Sequence, residues 1–129
     1  MARNNYYNQG DAYSEWHRAL KNDLRYVDID SCGICNKCKQ PIYLAETTFD
    51  VNQKWKATTA TEWLAKAAGL PSFLIFYKVE NGEVVKLRVK QLTPEKDRKE
   101  VVLEPQAWVQ AMELLQERHN LVCKKKDLS

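Results

Sequence analysis

The dipeptide Asn81-Gly82 constrains this chain more than any other pair of residues in it. It stands between "SFLIFYKV" and "EVVKLRVKQL", and both of its residues tolerate the positive φ that a two-residue hairpin turn demands at its central positions. A chain with that turn carries two adjacent antiparallel strands. The first run is almost continuously apolar, the pattern of a strand covered on both faces, whereas Val85, Leu87 and Val89 alternate with polar neighbours along the second. A strand covered on both faces needs a layer on each side of its sheet, and the remaining segments supply helices for that purpose.

From Asp11 to about Leu24, the residues Tyr13, Trp16, Leu20 and Leu24 recur at helical spacing, and Asp11 can cap the start. "RYVDID" then changes to a two-residue period, with Val27 and Ile29 on one side and Asp28 and Asp30 on the other. A cysteine-bearing connection leads through Pro41 into a second strand, "IYLAETT", with Ile42, Leu44, Glu46 and Thr48 on one face. Residues 52 to 68 read as a helix with Trp55, Thr59, Trp63 and Ala67 along one stripe and "GLP" as its stop. After the Asn-Gly hairpin, "TPEKDRKE" reads as a charged loop. Glu104-Pro105 opens a last helix that buries Trp108, Met112 and Leu115. The expected order is helix, strand, strand, helix, strand, strand, helix, an α/β layered structure. Residues 1–10 form a polar flexible arm, 11–123 a single domain, and 124–129 a basic tail.

The 129 residues and 44% hydrophobic content suit one core and are too few for two ordinary domains. A formal charge of +3 admits phosphate-rich partners without demanding them. No apolar run approaches the roughly 20 residues needed to span a bilayer, and the N-terminal stretch lacks the apolar centre of a secretory signal. The expected location is intracellular, with no membrane partner. In a reducing compartment, four cysteines are more naturally thiols or metal ligands than disulfides.

Cys32, Cys35 and Cys38 have the spacing C-x2-C-x2-C, with Gly33 and the Asn36-Lys37 pair permitting tight turns. Such spacing suits a structural Zn2+, with Cys123 as the fourth ligand and His119, four residues earlier, as its substitute. Free thiols or an iron–sulfur cluster are the alternatives. A thioredoxin-like redox pair fits poorly, because that motif opens a helix after a strand. The acids form a second constellation. Joined strands bring Asp28 or Asp30 near Glu46, and carboxylates on one sheet face make a hard-oxygen site suited to Mg2+ or Mn2+. Such an ion polarises a phosphate and lowers the pKa of an attacking water. Solvated strand-end acids are the other reading. The four tryptophans are assigned to the core rather than to base stacking. "KLRVKQLTPEKDRK" and the lysine tail are either phosphate contacts or solvated faces.

An acid on one strand, a hairpin, Glu46 on the next strand, a helix and then "GLPSFLIFY" resemble the core of the PD-(D/E)XK nuclease superfamily. The chain is also similar to small phage-encoded nuclease-like proteins carrying "DID", a CxxC hairpin and a "PxxLxET" strand. The likeness spans roughly residues 13 to 78. It implies a restriction-endonuclease-like mixed sheet flanked by helices, with a zinc-knuckle hairpin between two strands, and a metal-dependent nuclease cutting DNA, in resolvase-like fashion. It further implies a bacterial host cytoplasm, and a homodimer if both strands are cut. Carried over, Asp30 matches the metal-binding acid, with Asp28 as alternative, and Glu46 the acid of the E-x-K pair. Glu15 matches an extra acid of resolvase-like members, and Gln53 a glutamine at the start of the following helix. Where the family has its motif lysine this chain has Thr48, so Lys54 or Lys56 must reach back if cleavage is retained. Otherwise the implied protein is an inactive nuclease-like zinc module that binds nucleic acid or a protein.

Overall fold

The computed structural model describes residues 28–95 and 99–124, together with positions 12, 15, 16 and 19. The flexible arm, most of the expected first helix and the basic tail beyond Lys124 lie outside the described residues. The described chain forms a five-stranded mixed sheet with two helices: β1 (Ser31–Ile34), β2 (Pro41–Phe49), α1 (Thr59–Ala68), β3 (Ser72–Glu80), β4 (Glu83–Thr93), β5 (Val101–Leu103) and α2 (Pro105–Asn120). Among the described residues, no helix is long and apolar enough to cross a membrane.

The strands lie side by side in chain order, β1 to β5. Three neighbouring pairs are antiparallel, and β2 and β3 are parallel, joined by the crossover that contains α1. Asn81 and Gly82 have φ of 54° and 78°, and Glu80 pairs directly with Glu83, so the Asn-Gly turn forms as its residue types demand. β5 has no counterpart among the expected strands: its three residues pair with Leu87, Arg88 and Val89 along β4.

Alternation along β2 divides the core between two faces. Ala45 packs with Ile75, Leu87 and Val89 on one face, with Tyr43, Phe73, Leu103 and Trp108 against them. There Trp108 of α2 meets Phe73 and Tyr43 edge to face, with ring centroids 5.4 and 6.4 Å apart. Leu74, Phe76 and Leu92 make the core of the other face. Leu74 and Phe76 are fully buried, each stabilising the fold by roughly 1.5–3 kcal/mol relative to exposure. Helix α1 covers that face through Thr61 and Ala65 and stops at Gly69, which takes the left-handed φ of 69° and donates its N–H to the last turn.

Three expectations need correction. The first strand begins at Ser31, so Asp28 and Asp30 precede it rather than alternate along it. The helix expected from residue 52 begins at Thr59. The cause is competition for its carbonyls: Arg88 Nη2 binds the Gln53 carbonyl and Lys90 Nζ the Lys54 carbonyl, at 2.8 and 2.9 Å. Asp50 Oδ1 accepts the Asn52 N–H, and Asn52 takes a φ of 65°, so the chain turns before it can wind. Finally, Trp63 is 74% exposed, and Trp16 and Trp55 are also exposed, so the core assignment holds only for half-buried Trp108. Trp55 left the helical stripe with its segment and stacks beside the Lys90 ammonium, 5.0 Å from its ring.

Candidate functional site

Two clusters of functional side chains occupy the β1–β2 hairpin, one at its turn and one at its open end. At the turn, Cys35 closes a tight loop, its N–H bound to the Gln40 carbonyl and its carbonyl to the Lys39 N–H. Lys39 has a φ of 67° in that loop. The loop presents Cys35 and Cys38 to the end of α2, where His119 lies in the last turn and Cys123 just beyond it. The four ligand atoms all lie within 4.8 Å of one another. Cys35 Sγ and Cys123 Sγ are 3.8 Å apart, and Cys38 Sγ is 3.2 Å from His119 Nε2. Thiolates about 2.3 Å from a tetrahedral zinc lie roughly 3.8 Å from each other, so the donor set and its spacing could form a zinc site.

The sequence offered His119 as a substitute for Cys123; the fold uses both. Cys32 lies outside the set. It stands on β1 opposite Leu44, exposed, because the strand continues to Ile34 and the loop that gathers sulfurs begins only at Cys35. Gly33 likewise belongs to the strand, where a side chain would collide with the ring of Tyr43, its cross-strand partner. Gln116 was missed by sequence reasoning. Its amide donates to Cys35 Sγ at 3.3 Å and its carbonyl oxygen accepts the Asn36 N–H at 3.1 Å, tying the knuckle to α2 one turn before His119. Its position three residues before His119 was the available signal.

Burial raises the Cys35 thiol pKa, but the N–H of Cys38, the Gln116 amide and the N–H of Lys37 outweigh it and bring the value down to about 5. The Gln40 N–H pulls the Cys38 thiol down, yet burial and the adjacent Cys35 and Cys123 together leave it raised. Thus one sulfur, that of Cys35, is ready as a thiolate, and Cys38 resists ionising beside it.

At the open end, Ser31 pairs with Ala45, and one step further the chain brings Asp30 beside Glu46. Asp30 Oδ2 accepts the Thr47 N–H at 2.9 Å and pairs with Lys56 Nζ at 2.8 Å. The same ammonium donates to the Thr47 carbonyl at 3.0 Å and lies 3.7 Å from Glu46 Oε2. Glu46 is 5% exposed and takes a short hydrogen bond from the Thr61 hydroxyl of α1. Burial raises its pKa, and neighbouring Asp30 adds to the rise against the opposing pull of Thr61 and Lys56. Asp30 stays below the ordinary carboxylate value: burial pushes it up, but hydrogen bonds from Glu46, Lys56 and the Thr47 N–H outweigh that. Of the two acids, Asp30 is thus the more readily ionised and Glu46 the less.

Asp28, Asp30, Glu46, Lys56 and Thr58 to Thr61 line a cavity of about 250 Å3. Asp28 is an exposed wall of it. Thr48 is half-buried and two residues beyond Glu46 on the same strand face. Lys54 is turned to other work through its carbonyl, which Lys90 occupies. Gln53 is consumed locally, its amide binding the Phe49 carbonyl and its oxygen the Val51 N–H. Glu15 is exposed, and most of its surroundings lie outside the described residues. Arg88 and Lys90, in the segment expected to be either phosphate contacts or a solvated face, are instead internal clamps; Arg88 is paired with Asp50 and Glu100 at 2.8 and 2.9 Å, and Lys90 holds the Lys54 carbonyl.

Comparison of the chain with protein-family models, with curated proteins and with solved structures returned no match.

Proposed function

We propose that the chain is a metal-dependent nuclease of PD-(D/E)XK type acting on DNA, with Asp30 and Glu46 as the cation ligands and a structural Zn2+ in the cluster of Cys35, Cys38, His119 and Cys123. The observation that carries this reading is the position of Lys56. Its ammonium sits among Asp30 Oδ2, the Thr47 carbonyl and Glu46 Oε2, at 2.8, 3.0 and 3.7 Å. Three oxygens aimed at one positive charge are the donor set a hard divalent cation requires, and a lysine stem brings a mobile positive group to the place the missing motif lysine would serve.

A divalent ion held there supplies Lewis acidity toward the phosphodiester and toward the attacking water. Lys56, displaced from the carboxylates but tethered beside them, neutralises charge developing on the phosphate. Thr61 keeps Glu46 oriented through its hydroxyl, and the Thr47 N–H holds Asp30 against the strand. The Cys/His cluster clamps the turn of the hairpin whose open end carries both acids. A restriction-endonuclease-like sheet accords with the antiparallel β1–β2 pair followed by a helical crossover to a parallel β3.

A second reading is favoured by Thr48: an uncharged residue in the motif position suits a zinc module that binds nucleic acid or a protein without cutting. The experiment incubates zinc-loaded protein with single-stranded, duplex and branched DNA in Mg2+ or Mn2+, beside the near-isosteric Glu46→Gln and Asp30→Asn. Metal-dependent cleavage reduced on the order of 100-fold or more in both variants, with unchanged melting, is expected. A wild-type protein inert on every substrate would remove the nuclease reading and leave the module.

A further inference from the structure

Helix α1 carries on its outer face a tryptophan that the fold does not use. Trp63 is 74% exposed, while Thr61 and Ala65 turn inward to the sheet. Residues 59, 62, 63 and 66 share one side of the helix at i, i+3, i+4 and i+7 spacing. Three depressions follow that side. The cavity of the acid cluster has Thr59 in its wall; a second, of about 320 Å3, is lined by Thr59, Glu62, Trp63 and Lys66. A third, of about 730 Å3, begins at the same Lys66 and runs past Leu70 and Phe73 to Arg118 on α2. Thr59 and Lys66 are thus walls shared by neighbouring depressions, roughly 10 Å apart along the helix axis, and the row of three makes a candidate track.

The chemistry along the track is directional. Neither Lys66 nor Arg118 forms an ion pair among the described residues, and both are exposed. The acid on the track, Glu62, accepts a hydrogen bond from the Thr58 hydroxyl at 2.6 Å. An indole left in water beside an unpaired ammonium, with a second free cation further on, complements a ligand that has flat apolar rings and regularly spaced anions. Single-stranded nucleic acid has both, since every base offers a π face and every linkage a negative charge. A duplex hides its base faces within the stack, so an indole on a convex helix gains less from it.

We infer that α1 is the floor of a single-strand binding track, in which Trp63 stacks on an unpaired base and Lys66 and Arg118 hold phosphates of the strand leading away from the acid cluster. This rests on the nuclease reading for its direction, and it narrows the substrate to DNA with an unpaired segment, a free strand or the unpaired arm of a branched molecule. Trp63 is a binding residue here, outside the chemistry.

The test measures binding of a fluorescent oligothymidylate by anisotropy, without added divalent cation, at several salt concentrations. Trp63→Ala is expected to weaken binding roughly 5- to 100-fold, and Trp63→Phe to restore most of it, because loss of one stacked base is the only change. Lys66→Gln with Arg118→Gln is expected to flatten the slope of log K against log salt by about 1.4, or about 0.7 for each phosphate released. Melting curves control for folding, which an exposed tryptophan does not govern. Equal affinity of Trp63→Ala and wild type, or no binding by the wild type at low salt, would overturn the inference. Cleavage with no Trp63 dependence sinks the track alone, whereas Trp63-dependent binding with no cleavage on any substrate sinks the nuclease reading alone.

Discussion

The two ends of one hairpin solve the same electrostatic problem in opposite ways. At the turn, three thiols and an imidazole converge, with the Lys37 N–H and the Gln116 amide donating to Cys35 Sγ, a donor set that a metal ion would complete. At the open end, two carboxylates converge around one lysine that already pairs with both. The first cluster is incomplete as protein alone; the second is complete until something displaces Lys56. Metal in the turn would accordingly be a matter of folding, whereas the acids at the open end already have a cationic side chain between them.

The largest effect should come from the turn. Stripping zinc with a chelator, or Cys35→Ser, is expected to cost several kcal/mol and lower the melting temperature by about 10 °C or more, with stoichiometric zinc lost by elemental analysis. Hydrogen exchange should show the hairpin turn and the end of α2 opening first. A chelated protein that melts with the holo form would erase the contrast between the two ends.

The loop that delivers Lys56 depends on Asp50 and Arg88, which lie 2.8 Å apart and are mostly buried. Asp50→Asn should cost about 1–3 kcal/mol. The pH dependence has a definite sign. Arg88, ahead of the Asn52 N–H, holds the Asp50 carboxyl below its ordinary 3.8, so its stabilisation is present above pH about 4 and disappears as the pH falls through the lower, folded value. Wild type should lose stability more steeply than Asp50→Asn on that acid limb in urea titrations. Parallel limbs would show that the clamp does not carry the charge.

A smaller change is expected from Lys56→Met. Removing a partly exposed partner should cost about 1 kcal/mol, and it should raise the Asp30 carboxyl toward or above the ordinary range, readable by NMR titration of that side chain. An unmoved Asp30 would mean that the hydrogen bonds from Glu46 and the Thr47 N–H, and not Lys56, govern its charge. Smallest of all, Cys32→Ser should leave zinc content unchanged and stability within about 0.5 kcal/mol. Lost zinc in that variant would move the cluster back toward the first cysteine.

Much of this architecture was legible because it depends on local spacing. The Asn-Gly turn, the alternation of β4, the stop at Gly69 and the apolar stripe of α2 through Trp108 and Met112 follow from neighbours within a few residues. So does the placing of Glu46 on the inner face of a strand. The acid pair was legible too, since an antiparallel hairpin fixes which residues oppose one another. Less legible were the start of α1 and the tryptophans. A helical stripe through Trp55 and Trp63 is a sound local pattern, yet Arg88 and Lys90 capture the carbonyls it needs, and both come from a strand more than thirty residues away.

What the sequence determined by itself, then, is β2 to β4 with their Asn-Gly turn and the residue types gathered at each end of the hairpin, because hydrogen-bonding period and turn chemistry act between near neighbours. What only the tertiary structure decided is membership. It chose Cys35, Cys38, His119 and Cys123 over Cys32, because a helix of fixed length ends beside one loop and not beside the strand before it. It brought Lys56 and not Lys54 to the acids, because two cationic side chains of β4 hold the intervening backbone in a turn, and the direction of one lysine stem depends on that hold.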